Sequence, residues 1–171
     1  MGSKRVGLAR TQALIENLKR ELNLKGATLN GVVRQVKSVS AATTLTNADS
    51  GAIVDMSGGA YAINLPQDPK TGCTFTFTHS SAISGARTID AYADNHFFKG
   101  LFKDHEQASS GAVAHVTFNG TNHDRINIAS DAAANHTLVT VTYIGSNIWL
   151  ITDSWAHDIS DVTVGTDSGN S

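Results

Sequence analysis

TLVTVTYIGSNIWLITDSW, residues 137–155, decides the reading of this chain. β-Branched and aromatic residues fill both arms, and Gly145-Ser146 lies between them, so the stretch predicts a β-hairpin. With those two residues as the turn, Tyr143 falls opposite Ile148, Val141 opposite Leu150 and Val139 opposite Thr152. The other face then carries Thr140, Thr142, Ile144, Asn147, Trp149 and Ile151, half of it apolar. A sheet with one wet side alternates more cleanly than this. The hairpin is therefore expected to bury one face in its own core. Ile144, Trp149 and Ile151 would then meet a second copy of the chain.

Upstream of the hairpin the chain reads as a run of short strands. CTFTFTH (73–79) alternates strictly, with Cys73, Phe75 and Phe77 on one side and threonines on the other. AIVDM (52–56), AYAINLP (60–66), ARTIDAYA (86–93), FFKGLF (97–102), AVAHVTF (112–118) and RINIA (125–129) have similar character. They are separated by turns rich in Gly, Asp, Asn and Ser, and no internal repeat is visible in the sequence. The fold class expected is mainly β, a β-sandwich or jelly-roll-like domain. Its body spans residues 40–155, with an acidic tail over 156–171.

Residues 1–39 differ in kind. KRVGLARTQALIENLKRELNLK (4–25) predicts an α-helical arm, closed by Lys25 and Gly26. Leu8, Ile15, Leu18 and Leu22 form an apolar stripe too short for a stable free coiled coil. Lys4, Arg5, Arg10, Lys19 and Arg20 make the arm basic. Residues 1–37 hold eight basic and two acidic side chains, a balance of +6 on a chain of net charge −2. A basic arm on an acidic body suits docking to other proteins. The arm has no Trp, Phe or Tyr to stack on bases or anchor in a membrane, so neither nucleic acid nor membrane is expected as a partner.

Catalytic chemistry finds no foothold in the sequence. None of the seven histidines forms a His-x-His or His-x-x-x-His pair, and the single cysteine, Cys73, excludes an intramolecular disulfide. No Gly-x-Ser-x-Gly elbow surrounds a serine. Asn119-Gly120-Thr121-Asn122-His123-Asp124 is rich in oxygen ligands but lacks the acidic spacing of a calcium loop, so a polar turn is expected. No catalytic residue, metal site or cofactor is expected, and the chain reads as a non-enzyme. Tyr92, Phe97, Phe98 and Phe102, set among Asp94, Asn95 and His96, form a candidate ligand patch for sugar or a partner surface. A loop-edge core cluster is the plainer account of the same residues.

TTLTNADSGAIVDMSGGAYAINLP (43–66), GCTFTFTH (72–79) and IGSNIWLITDSW (144–155) together resemble a module of tailed-phage virion proteins. The arm is similar to the openings of structural proteins from marine tailed phages. The resemblance implies a virion component assembled in the host cytoplasm, usually a homotrimer. A capsid decoration protein would dock on the major capsid protein or other virion proteins through its arm. A tail-fibre or spike component binding a host glycan or receptor is the alternative. It carries over no catalytic residue.

Overall fold

The structure, a computed structural model, describes residues 7, 10–13, 33–80, 84–92, 95–103, 115–129, 137–156 and 162–166. Residues 10–13 are helical, and the rest of the helix predicted over 4–25 lies outside the described residues except for Gly7. Residues 34–171 form one compact unit. It is mainly β, so its body begins before residue 40 and takes in part of the acidic tail.

Among the described residues the strands are β1 (Val36–Val39), β2 (Thr43–Thr44), β3 (Ile53–Met56), β4 (Tyr61–Asn64), β5 (Thr74–Thr78), β6 (Arg87–Asp90), β7 (Phe97–Lys103), β8 (His115–Asn119), β9 (Arg125–Ile128), β10 (Leu138–Gly145), β11 (Ile148–Trp155) and β12 (Val162–Gly165). They make two mixed sheets. The large sheet has the order β1-β3-β5-β10-β11-β7-β8, and the small sheet β12-β9-β6-β4-β2.

Up to β6 the strands alternate between the sheets. β1, β3 and β5 pair in parallel in the large sheet, and β2, β4 and β6 pair in parallel in the small one. The chain thus winds three coils, each giving one strand to each sheet. This repeat is one of geometry, without a matching repeat of residues. β7 keeps the direction of β5 but does not pair with it. The β10–β11 hairpin lies between them, antiparallel to β5 on one side and parallel to β7 on the other. Among the described residues half of the ten ladders are parallel, which an antiparallel jelly roll would not show.

Alternation along each strand sends every second side chain into one core shared by both sheets. Paired registers stack these side chains into columns. One runs Thr43, Ile63, Ile89, Ile126, Val164 across the small sheet. Another runs Lys37, Val54, Phe77, Val139 across the large sheet. Aromatic rings fill the centre: Trp149 lies 5.2 Å from Tyr143 and 6.1 Å from Phe75, centroid to centroid. Phe98 packs edge-on against Phe118 at 6.1 Å.

Candidate functional site

The β10–β11 hairpin sets the character of the large sheet, and its register differs from the expected one. Gly145, Ser146 and Asn147 all have positive φ, at 87°, 52° and 62°. Ser146 and Asn147 are the two turn residues, as in a type I′ turn, and Gly145 faces Ile148 across a bulge at Ile144. Asparagine tolerates the left-handed region that this turn needs. The slip places Tyr143 opposite Trp149 and Val141 opposite Ile151. A second irregularity at Thr152 places Val139 opposite Ser154.

A one-residue slip exchanges the faces of a strand. Trp149 and Ile151, expected on the outside, are in the core at 0% and 8% exposure. Of the three proposed interface residues only Ile144 points outward, 49% exposed. The hairpin nevertheless has a second apolar face, built from other residues. Leu138, Ile144, Ile148 and Leu150 lie outside with Thr140, Thr142, Thr152 and Asp153.

Neighbouring strands extend this face. Ile53 and Val36 lie on one flank, and Phe97 and Leu101 on the other. Among the described residues the exposed large hydrophobic side chains are Val33, Val36, Tyr92, Leu101 and Ile144. Three of them, Val36, Leu101 and Ile144, are on the outer face of the large sheet. Between the apolar residues the threonines bond across strands: Thr74 to Thr142 at 2.9 Å and Thr76 to Thr140 at 3.1 Å, oxygen to oxygen. Such cross-strand threonine pairs add modestly to the stability of the sheet. Arg34 reaches over the same face and donates to Thr76 Oγ1 at 2.9 Å and to the Gly51 carbonyl at 2.9 Å.

The outer face of the small sheet is different. It carries Thr44, Ala62, Asn64, Thr88, Asp90, Arg125, Asn127, Thr163 and Gly165. Arg125 pairs with Asp90, and the remaining side chains are small or polar. No large apolar group projects from it.

A groove of about 220 Å³ opens where β7 and β11 part, lined by Leu101, Lys103, Ile151, Thr152, Asp153 and Ser154. Their ladder stops at the Leu150–Lys99 pair. Gly100 follows, at φ 137°, and a Cβ there would sit 3.0–3.1 Å from the Cβ and carbonyl oxygen of Ile151. Ser154 Oγ spans the gap and donates to the Leu101 carbonyl at 2.7 Å. The groove is too small to enclose a drug-sized ligand.

No group of three or more His, Cys, Asp or Glu side chains converges among the described residues. Cys73 is buried, and that burial raises its thiol pKa, which disfavours a nucleophilic thiolate. In the 119–124 loop, Asn119 Oδ1 accepts from the N–H groups of Thr121 and Asn122, at 2.9 and 3.2 Å. The loop is folded by its own oxygens, as a polar turn. His96 is buried against Tyr143, ring centroids 5.5 Å apart, and its Nδ1 has no hydrogen-bond partner among the described residues. Burial depresses its pKa, against the opposing pull of the Ala91 backbone, Asp68 and Asn147.

The candidate ligand patch does not assemble. Phe98 and Phe102 are in the core at 0% exposure, Phe97 is half-buried, and Tyr92 alone is exposed. β7 alternates, so Phe98 and Phe102 share the inward side while Phe97 faces outward. Of the proposed docking arm, Arg10 is described and exposed. Lys4, Arg5, Leu8, Ile15, Leu18, Lys19, Arg20 and Leu22 lie outside the described residues. Sequence reasoning missed Leu138, Ile148 and Leu150 as outward residues. The signal that would have found them is Asn147, read as a turn residue rather than a strand residue. No protein-family profile matches the chain, and no curated protein is detectably similar to it.

Proposed function

We propose that this chain is a non-enzymatic structural component of a tailed-phage particle, a homotrimeric capsid decoration protein that packs through the outer face of its large sheet. One observation carries the multi-copy part of this reading: the outer face of the large sheet holds Val36, Ile144, Ile148, Leu150 and Leu101 among threonines and the charged Asp55, Lys99, Lys103 and Asp153, while among the described residues no large aliphatic side chain is on the other sheet's outer face. Burying one such aliphatic side chain fully is worth about 1.5–3 kcal/mol, and a three-fold assembly repeats each contact. The sequence resemblance to virion modules supports the particle, and the basic arm supports attachment to capsid proteins. Many modest contacts then combine into firm binding.

Light scattering tests the reading. The purified protein is expected at about three times the 18.0 kDa chain mass, and to bind empty capsids. Removing residues 1–25 is expected to abolish capsid binding and leave the trimer intact. A monomer at high concentration defeats the proposal.

A second reading rests on Tyr92. It is exposed, and its φ of 67° is unusual for a bulky residue and costs about 1–3 kcal/mol. It lies on the β6–β7 loop, at the same end of the strands as the Ser146-Asn147 turn. A host glycan stacking on this ring would make the protein a fibre or spike component. Glycan binding lost in Tyr92→Ala, with the fold intact, supports that reading; no glycan binding by the parent protein rejects it.

A further inference from the structure

The three parallel coils begin at β1 in the large sheet and β2 in the small sheet, and each of these is an edge strand. Among the described residues, a stack of coils that ends this way leaves the outer edges of β1 and β2 without a strand partner at one end, where another chain could pair. A polar inward side chain is not confined to the first coil, since Arg87 of the third is fully buried, but the first differs from the next two in two columns. Its inward positions turn polar in two core columns: Lys37 stands where later strands have Val54 and Phe77, and Thr43 where they have Ile63 and Ile89.

Lys37 therefore points into the end of the core from an edge strand. Its Nζ lies 2.8 Å from Asp49 Oδ1, on the short 3-10 turn at Asn47–Asp49 between the two sheets. Asp49 Oδ2 accepts from the backbone N–H and the hydroxyl of Thr46, both at 2.9 Å. Burial works against ionisation of Asp49, but the Lys37 and Thr46 hydrogen bonds and the Lys37 charge outweigh it and hold the carboxyl below the usual range. The pair is charged, only partly exposed, and fixed at both ends.

We propose that β1–β2 is a capping coil, and that the Lys37–Asp49 pair across the open end of the core bars a second copy from adding to the edge of β1. A copy docking there would have to strip water from this pair and find a complement for it, which an apolar end would not demand. Inward-pointing charge on an edge strand is a recognised guard against sheet extension. The inference goes beyond the proposed assembly, since it assigns the end of the molecule that copies do not use.

The Gln35 and Val39 carbonyls accept from β3 and the residue beyond it, so alternation turns the N–H groups of Val36 and Ser38 away from β3. Hydrogen exchange on the assembled wild-type protein is expected to show both amides exchanging fast. Slow exchange there means that the edge is already covered, and overturns the proposal. The double variant Lys37→Leu/Asp49→Asn is expected to double in mass by light scattering at concentrations where the wild type does not change. Its Val36 and Ser38 amides should become protected. A folded double variant with wild-type mass and fast exchange also overturns it. Lys37→Met, which keeps the stem and removes the charge, is the milder variant should the double one fail to fold, and is judged by the same two outcomes.

Discussion

The two sheets share one core and turn opposite characters outward. The small sheet's outer face is made of Thr, Asn and an Asp90–Arg125 pair, as expected of a wet surface. The large sheet's outer face mixes exposed and half-buried aliphatic residues with threonines that bond to one another and with Lys99, Lys103 and Asp153. Inward, both sheets are mainly apolar, with Arg87 buried on the small sheet and Ser154 on the large one, so the difference lies in the outer faces. An outward residue on the large sheet is apolar without being needed for the core. That separates residues that hold the fold from residues free to serve an interface, and substitutions can test the separation.

The largest effect is expected inside. Trp149→Ala removes a fully buried ring that touches Tyr143 and Phe75, and should cost about 3–5 kcal/mol by denaturant titration. If Trp149 were an interface residue, the same change would break the assembly and spare the fold. Next in size, Ile144→Lys with Leu150→Lys puts charge on the outer face of the large sheet. Monomer stability should hold within about 1 kcal/mol, and association should weaken at least about tenfold, each 1.4 kcal/mol of lost contact being tenfold. Unchanged mass by light scattering would remove the contrast between the faces.

A third effect comes from pH. His96 is held neutral by burial, so its folded-state pKa lies below the ordinary 6.5. The unfolded chain binds the extra proton first. Stability from this group is full above about 6.5 and falls as the pH drops from there toward the folded-state value, by at most about 1.4 kcal/mol per pH unit. Thermal melts from pH 7.5 to 5.5 should show that slope, and His96→Phe should flatten it. The smallest effect is expected on the polar face. Asn127→Lys or Thr163→Lys should move stability by no more than about 0.5 kcal/mol and leave the mass unchanged.

The candidate site was legible in part. That the hairpin has two apolar faces could be read from its composition. The residues on each face could not, because one turn residue and one bulge set the register, and a strand's period of two makes a single slip reverse the assignment. Phe98 and Phe102 were ambiguous for a related reason. FFKGLF has apolar residues at both parities, so its inner side is chosen by what packs on it.

By itself the sequence determined the strands and, where alternation was strict, their inner sides. Phe75 and Phe77 are in the core as TFTFT predicts, and Ile89 and Ala91 are buried against Asp90 and Tyr92. These are local properties, fixed by backbone geometry and side-chain polarity. Only the tertiary structure decided which strands are partners: β1 beside β3, β2 beside β4, and a late hairpin set between β5 and β7. Parallel pairing joins residues distant in the chain and leaves no mark on the residues of either strand. For the same reason Lys37, an unremarkable cation in the sequence, acquires its place at the end of the core only when Val54 and Phe77 line up beside it.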